Sequence, residues 1–338
     1  MTVLSHPEFD GHELVEFVTD RRSGLVAIIA IHSTVLGPAG GGIRFFPYAS
    51  EMDAVTDVLR LSKAMTNKMA MGEVPLGGGK SVILGDPRTD KTEALLEAYG
   101  DAVEALGGRY ICGEDMGMTP DDMEVVARRT DHARGTASGS GDTSPLTAHT
   151  VFLSIRAAVR HRLGTGLDGI RVAVQGAGAV GSKLVAKLAD AGAAVLVADV
   201  DPGAASRTGA EVVGVDEVLT SYVDVLAPCA MGGVLSASTI PTIRASIVCG
   251  AANNQLATPA DAERLRAADV LYVPDYVANI GGVYSAVIDR KGADVARVKA
   301  DAVEGRVIEL LERAEAEGTS PAAAADRRVA EILAAARG

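Results

Sequence analysis

Residues able to move protons gather in the N-terminal half of this chain, among runs of glycine. Lys80 closes the run Leu76-Gly77-Gly78-Gly79-Lys80, and Asp115 lies within Gly113-Glu114-Asp115-Met116-Gly117. Lys68 and the run Gly40-Gly41-Gly42-Ile43-Arg44 complete the group. Glycines beside a lysine suggest backbone stripped of side chains so that a small molecule can approach. A lysine held among apolar residues and near a second cation can have its pKa lowered enough to act as an acid and base near neutrality. The second lysine would then hold a substrate carboxylate, and the aspartate would exchange a proton with a substrate amine.

The second constellation is Gly176-Ala177-Gly178-Ala179-Val180-Gly181. It follows an apolar run at residues 170–175 and precedes a helical pattern at 182–191. That context turns a bare glycine spacing into a dinucleotide fingerprint. Gly176 permits a tight turn, Gly178 admits the pyrophosphate, Gly181 lets helix and strand pack closely, and the N-terminal helix amides, with Ala179 and Val180, face the phosphates. The next strand, 194–198, ends at Asp199, which is 199 − 176 = 23 residues after the first glycine. A carboxylate there accepts from the ribose hydroxyls and repels a 2′-phosphate, so the expected cofactor is NAD. Asp201 is the alternative carboxylate.

The surrounding pattern must position these groups. Residues 13–18 and 24–33 read as a hairpin turned at 21–24. Ser50 followed by Glu51 and Asp53 reads as the start of a helix that brings Lys68 to its last turn. Further elements are a strand at 80–84, a helix at about 91–106, a strand at 109–112 and a helix from Thr119-Pro120. This alternation implies an α/β domain over residues 1–140. The Gly/Ser/Thr-rich stretch 135–144 reads as a connection. Pro145 opens a helix leading into a Rossmann-type domain over 145–319. An Ala-rich helix at about 320–338 is expected to pack back on the first domain, with a cleft between the two domains.

Composition narrows the function. A chain of 338 residues suits two domains, and 48% hydrophobic with 22% charged residues is the balance of a globular protein. A formal net charge of -12, with no clustered basic face, argues against nucleic acid as a partner. The longest apolar run, 25–31, is too short to span a membrane, and no leader pattern opens the chain, so a cytoplasmic protein is expected. Cys112, Cys229 and Cys249 form no Cys-x-x-Cys pair, and the six histidines form no ligand cluster, so no metal is expected.

Several ordered motifs together resemble the glutamate/leucine/phenylalanine/valine dehydrogenase superfamily. They are Gly37-Pro38-Ala39-Gly40-Gly41-Gly42, Leu61-Ser62-Lys63-Ala64-Met65-Thr66-Asn67-Lys68, Leu76-Gly77-Gly78-Gly79-Lys80, Gly113-Glu114-Asp115, Ala251-Ala252-Asn253-Asn254-Gln255 and Pro274-Asp275-Tyr276-Val277-Ala278-Asn279. The short chain looks like the leucine and phenylalanine branch. The resemblance implies that Lys68 binds the substrate carboxylate with the Gly41 and Gly42 backbone. It makes Lys80 the catalytic lysine and Asp115 the proton shuttle to nitrogen. It gives Thr147 and Asn253 the nicotinamide carboxamide, and Asn279 the cleft wall. It further implies an L-amino acid, its 2-oxo acid and ammonium as substrates, and a homo-oligomer.

In this family side-chain specificity rests on the positions matching Gly40, Met65, Gly113, Val283 and Ala286. Gly40 and Ala286 stand where leucine-type members carry larger groups, so the expected pocket is roomy and the favoured substrate phenylalanine. Branched-chain amino acids are the alternative. Two other readings share the fingerprint. A 2-hydroxy-acid dehydrogenase would depend on a His/Arg pair, which the two-lysine half does not suggest. A non-catalytic NAD sensor would make Lys80 and Asp115 expendable.

Overall fold

Strand-forming residues run almost unbroken from Leu25 to Ser33, and neighbouring positions are buried whichever way they point. A strand can do that only when both faces of its sheet are covered. In the computed structural model, which describes residues 2–137 and 142–338, Leu25, Ala27, Ile29 and Ile31 enter one apolar cluster, while Ile28 and Ala30 enter another.

The chain divides into two compact units. One comprises Met1–Asp142, Ser285–Arg290 and Glu331–Gly338, and the other Thr143–Tyr284 and Lys291–Ala330. The first contains β1 (Leu14–Asp20), β2 (Leu25–Ser33), β3 (Ala39–Phe46), α1 (Glu51–Met71), β4 (Gly77–Leu84), α2 (Glu93–Ala105), β5 (Tyr110–Glu114) and α3 (Pro120–Ala127). Its sheet has the order β1-β2-β4-β3-β5. β1 pairs antiparallel with β2, and β2 with β4, while β3 lies parallel to both β4 and β5. Ala54, Val55, Val58 and Leu59 of α1 cover one face. Leu95, Leu96, Tyr99 and Val103 of α2, with Met123 and Val126 of α3, cover the other.

The helices begin where capping chemistry places them. Ser50 accepts from the Asp53 amide at 3.1 Å, Thr92 from Leu95 at 3.2 Å and Thr119 from Asp122 at 3.2 Å. Each satisfies an amide that the first turn leaves without a helical partner. The hairpin turn ends on Gly24 at φ 78°, its amide bonded to the Asp20 carbonyl.

The second unit contains α4 (Ser144–Leu163), β6 (Arg171–Gln175), α5 (Ala179–Asp190), β7 (Ala194–Ala198), α6 (Pro202–Arg207), β8 (Glu211–Val212), β9 (Val225–Pro228), β10 (Ile247–Val248), α7 (Asp261–Ala267), β11 (Leu271–Tyr272) and α8 (Asp275–Ala278). The strands form a parallel sheet ordered β11-β10-β9-β6-β7-β8. From β6 the chain first moves to β7 and later returns to β9 on the other side. The carboxyl ends of β6 and β9 are therefore the switch point at which such sheets bind ligands. α9 (Ser285–Lys291), α10 (Ala293–Asp301), α11 (Val303–Ala316) and α12 (Pro321–Arg337) follow. Within α12, Ala322 packs into the core of the second unit, while residues from Glu331 onward group with the first.

Three details depart from the sequence reading. The glycine run 40–42 lies inside a full strand, β3, which propensity alone would not place there. β4 begins at Gly77, so its glycines also carry ladder pairs. α5 begins at Ala179, directly at the fingerprint, rather than at 182. In the connection expected at 135–144, positions 138–141 lie outside the described residues, and the remainder before Ser144 has no helix or strand. Among the described residues no cluster is placed to hold a metal, and no helix is long and apolar enough to cross a membrane.

The glycines of β4 set how closely α1 approaches the sheet. A Cβ on Gly78 would stand 2.1 Å from the Thr66 backbone nitrogen. Gly78→Ala is therefore expected to destabilise the protein by about 1–3 kcal/mol or more, the usual cost of overpacking. Thermal unfolding checks this, and an unchanged midpoint contradicts the close approach of α1.

Candidate active site

β4 and β5 flank β3, and this order brings the two predicted proton-transfer groups together. Lys80 Nζ donates to Asp115 Oδ2 at 2.6 Å, although the two lie 35 residues apart in the chain. Lys80 is only 5% exposed, which for an ammonium demands a partner. Gly42, on the strand between them, supplies the room. A Cβ there would lie 2.8 Å from Asp115 Cβ and 3.1 Å from Lys80 Nζ.

A second cation completes the arrangement. Arg44 Nε donates to the same Asp115 oxygen at 3.3 Å, and its NH1 donates to Asp57 Oδ2 at 2.9 Å. Tyr48 donates to that Asp57 oxygen at 2.6 Å. Burial, with Arg44 close by, lowers the Lys80 pKa, while Asp115 pulls it back up; the net direction is down. Burial would raise Asp115, but Lys80 and Arg44 together hold it well below the ordinary carboxylate range. Burial raises the Tyr48 phenol, and Asp57 adds to the effect, so the hydroxyl remains a donor. The result is a lysine eased toward neutrality beside a carboxylate that stays ionised.

The glycine runs mostly serve packing. A Cβ on Gly41 would stand 1.7 Å from the Gly79 carbonyl oxygen, and one on Gly79 would stand 2.8 Å from the Tyr110 ring. Tyr110 also donates to the Gly41 carbonyl at 2.9 Å, which fixes β3 behind Lys80. Gly40 differs from the expectation of empty volume. Its missing Cβ faces Met69 Cε at 3.0 Å and Leu76 Cδ1 at 3.2 Å, so aliphatic atoms already fill that side. Around Gly113, by contrast, a Cβ would meet, among the described residues, only the Arg134 carbonyl, at 3.9 Å.

Lys68 occupies the last turn of α1 and is half-buried, as is Met65 one turn earlier. Val283 is buried in the second unit, and Ala286 is half-buried in the segment that groups with the first.

The fingerprint glycines divide their work as the motif requires. Gly176 turns at φ 104° and packs against Ala230, and a Cβ on Gly181 would strike the Gly176 carbonyl at 1.9 Å. Gly178, the N-cap of α5, has nothing within 4 Å of its Cβ position, so space opens where a pyrophosphate would meet the helix amides. Asp199 accepts from the Ala177 amide at 2.6 Å and from the Asp201 amide at 2.8 Å. Those two donors hold it below its ordinary pKa. Asp201 instead caps α6 by accepting from Gly203 at 2.8 Å.

The residues expected at the nicotinamide also converge within the second unit. Asn279 donates to the Ala251 carbonyl at 2.9 Å and to Asn253 Oδ1 at 3.0 Å. The Gly282 Cβ position lies 3.3 Å from Thr147 Oγ1. Asn279 is 3% exposed, and its Oδ1 has no hydrogen-bond partner among the described residues. A buried oxygen left in that state is a standing site for a ligand donor. Nearby, Gln255 donates to the Gly250 and Ala252 carbonyls, and Asp275 accepts from the Asn254 amide at 2.6 Å, where Asn254 has φ 52°. These residues shape the loop that presents Asn253.

Sequence reasoning missed Asp57 and Tyr48, and it gave Arg44 no role. One signal was available. Asp57 lies a turn from Ala54 and Leu61 on the core-facing stripe of α1, where a charge needs a buried partner.

Residues 13–132 match the family profile described as Glu/Leu/Phe/Val dehydrogenase, dimerisation domain, and residues 197–327 match Glutamate/Leucine/Phenylalanine/Valine dehydrogenase. Valine dehydrogenase of Streptomyces virginiae is 45% identical, over 99% of this chain and 97% of that protein. Phenylalanine dehydrogenase of Caldalkalibacillus thermarum is 41% identical, over 98% and 94%. The crystal structure of L-tryptophan dehydrogenase from Nostoc punctiforme superposes with a TM-score of 0.80 at 38% identity, over 97% of each chain. The chain belongs to the Glu/Leu/Phe/Val dehydrogenase family, whose members are amino-acid dehydrogenases, oxidoreductases acting on the CH–NH2 group.

Proposed function

We propose that this enzyme carries out the reversible, NAD-dependent oxidative deamination of an apolar L-amino acid to its 2-oxo acid and ammonium. Residues 1–140 bind substrate and residues 145–319 the dinucleotide. The observation that carries the reading is the 2.6 Å contact between a buried Lys80, whose pKa burial lowers, and Asp115, whose pKa the neighbouring cations lower. Bound NAD supplies the acceptor for the hydride leaving the substrate α-carbon. Gly176, Gly178, Ala179, Val180 and Gly181 hold its pyrophosphate, Asp199 its ribose, and Thr147, Asn253 and Asn279 its carboxamide.

On the substrate side, Lys68 and the Gly41 and Gly42 backbone hold the carboxylate. Asp115 takes a proton from the substrate ammonium before the hydride leaves. Neutral Lys80 then removes a proton from the water that attacks the imine carbon. As the carbinolamine collapses, Asp115 returns its proton to the departing nitrogen. Lys80, once it has released its first proton to bulk water, then deprotonates the hydroxyl to leave the carbonyl. The first unit's match to a dimerisation domain supports a homo-oligomer.

For the substrate side chain, the packing at Gly40 favours a branched aliphatic amino acid, valine or leucine, over phenylalanine. The Met69 and Leu76 contacts occupy the volume on which the aromatic expectation rested. The open face of Gly113 favours the aromatic reading instead.

Three measurements test these assignments. Lys80→Ala and Asp115→Asn should each lower kcat by about a hundredfold or more, while NADH affinity stays near that of the unmodified protein. Near-normal turnover removes the residue from the mechanism. NAD should be preferred to NADP, and Asp199→Ser should narrow that preference; equal use of both cofactors by the unmodified protein refutes the role of Asp199. Finally, kcat/KM should be higher for L-valine and L-leucine than for L-phenylalanine and L-tryptophan. Met69→Ala should raise the phenylalanine-to-valine ratio about tenfold, since each lost methylene is worth about 0.8 kcal/mol. A preference for phenylalanine in the unmodified protein restores the aromatic reading.

A further inference from the structure

We propose that Arg44 is a positioning residue which, anchored by Asp57 and Tyr48, keeps Asp115 an oriented carboxylate ready for the substrate's proton whether or not Lys80 carries one. The inference rests on the catalytic reading of Lys80 and Asp115 given above.

The geometry is a single chain of donors and acceptors. Tyr48 donates to Asp57, Arg44 spans Asp57 and Asp115, and Lys80 reaches Asp115 from the other side. Arg44 uses different nitrogens for the two carboxylates, NH1 at 2.9 Å and Nε at 3.3 Å. A guanidinium can bridge in this way because its donors are fixed in a plane, whereas an ammonium presents one compact charge. The Arg44 side chain is 15% exposed, so its charge is only weakly screened.

Charge counting shows why the bridge matters. With every group ionised, Lys80 and Arg44 balance Asp115 and Asp57. Deamination requires Lys80 to give up its proton, and the two carboxylates would then face each other with only Arg44 between them. Arginine cannot itself deprotonate at accessible pH. It therefore holds Asp115 ionised and in place beside a neutral Lys80 until the substrate ammonium hands Asp115 its proton, and it repels the ammonium form of Lys80. Other titratable groups lie on the surrounding elements: His32 on β2, Lys68 on α1 and Glu114 at the end of β5. Among the groups acting on Lys80, Asp115, Arg44 and Asp57 are prominent.

The signs of two substitutions are opposite, which a purely structural role would not produce. Arg44→Gln removes a cation that lowers the Lys80 pKa, so the rising limb of kcat/KM for deamination against pH should move up by about one unit. Asp57→Asn removes an anion that raises it, so the same limb should move down. Arg44→Lys keeps the charge but not the planar fork, so kcat should fall with the limb nearly in place. The substrate amine titrates identically throughout, and differences between variants therefore belong to the protein. Circular dichroism accompanies each profile. If Arg44→Gln fails to fold, Asp57→Asn and Arg44→Lys still decide. Limbs that stay fixed, or that move in the same direction for Arg44→Gln and Asp57→Asn, overturn the proposal, as does an unmoved or raised limb in Asp57→Asn. A Lys80→Ala variant that turns over normally sinks the underlying catalytic reading instead.

Discussion

An ammonium withdrawn from water must be matched by charge at close range, and the first unit is organised around meeting that demand for Lys80. The ion pair with Asp115 at 2.6 Å meets it directly. Breaking such a buried pair by removing one partner typically costs about 3–5 kcal/mol, because the other charge remains stranded. The strand order follows from this pairing. Lys80 lies on β4 and Asp115 just past β5, and β3 must run between them with a residue at position 42 that has no side chain. The next outward-facing position on β3 carries Arg44, and α1 supplies Asp57 to hold it. A neutral substitute for Asp115 would leave Lys80 without its counterion.

The two units use glycine for different ends. At Gly41, Gly77, Gly78 and Gly79 the absent side chain lets backbone pack against backbone or ring, so that strands and α1 approach more closely than any other residue permits. Gly181 does the same between α5 and the turn after β6. Gly178 is different, since nothing in the protein occupies the space that a Cβ would take. A glycine whose missing atom would collide explains itself through packing. One whose missing atom would meet nothing needs another explanation, and at a helix N-terminus an anionic ligand supplies it.

Much of this was legible in the sequence because it rests on local chemistry. The caps at Ser50, Thr92 and Thr119, the hairpin turn at Gly24 and the strand before Gly176 depend on neighbouring residues alone. Membership of the family was legible from ordered motifs. β3 was not, because three successive glycines carry no strand propensity, and its existence depends on the partners on either side. The filling of the Gly40 side was equally hidden. Met69 and Leu76 reach it from α1 and from the turn before β4, and only the folded approach of α1 brings them there. Arg44 was visible as a residue and invisible as a bridge, since its partners Asp57 and Asp115 come from a helix and from a strand end.

The units also differ in what they leave unsatisfied. Around Lys80 the charges of Lys80, Arg44, Asp57 and Asp115 are matched to one another inside the protein, which suits proton transfer: the donors and acceptors are preset, and little reorganisation accompanies each change of charge. In the second unit the satisfied bonds belong to the scaffold. Asp275 staples Asn254, Gln255 ties down the Gly250 and Ala252 carbonyls, and Asn279 orients Asn253. Among the described residues, the buried Asn279 oxygen beside Asn253 is one of four buried side-chain atoms left without a partner, and the helix terminus at Gly178 is open. A cofactor that enters and leaves on every turnover must find its hydrogen bonds unmade, whereas acid and base groups that stay in place can be paired before the substrate arrives.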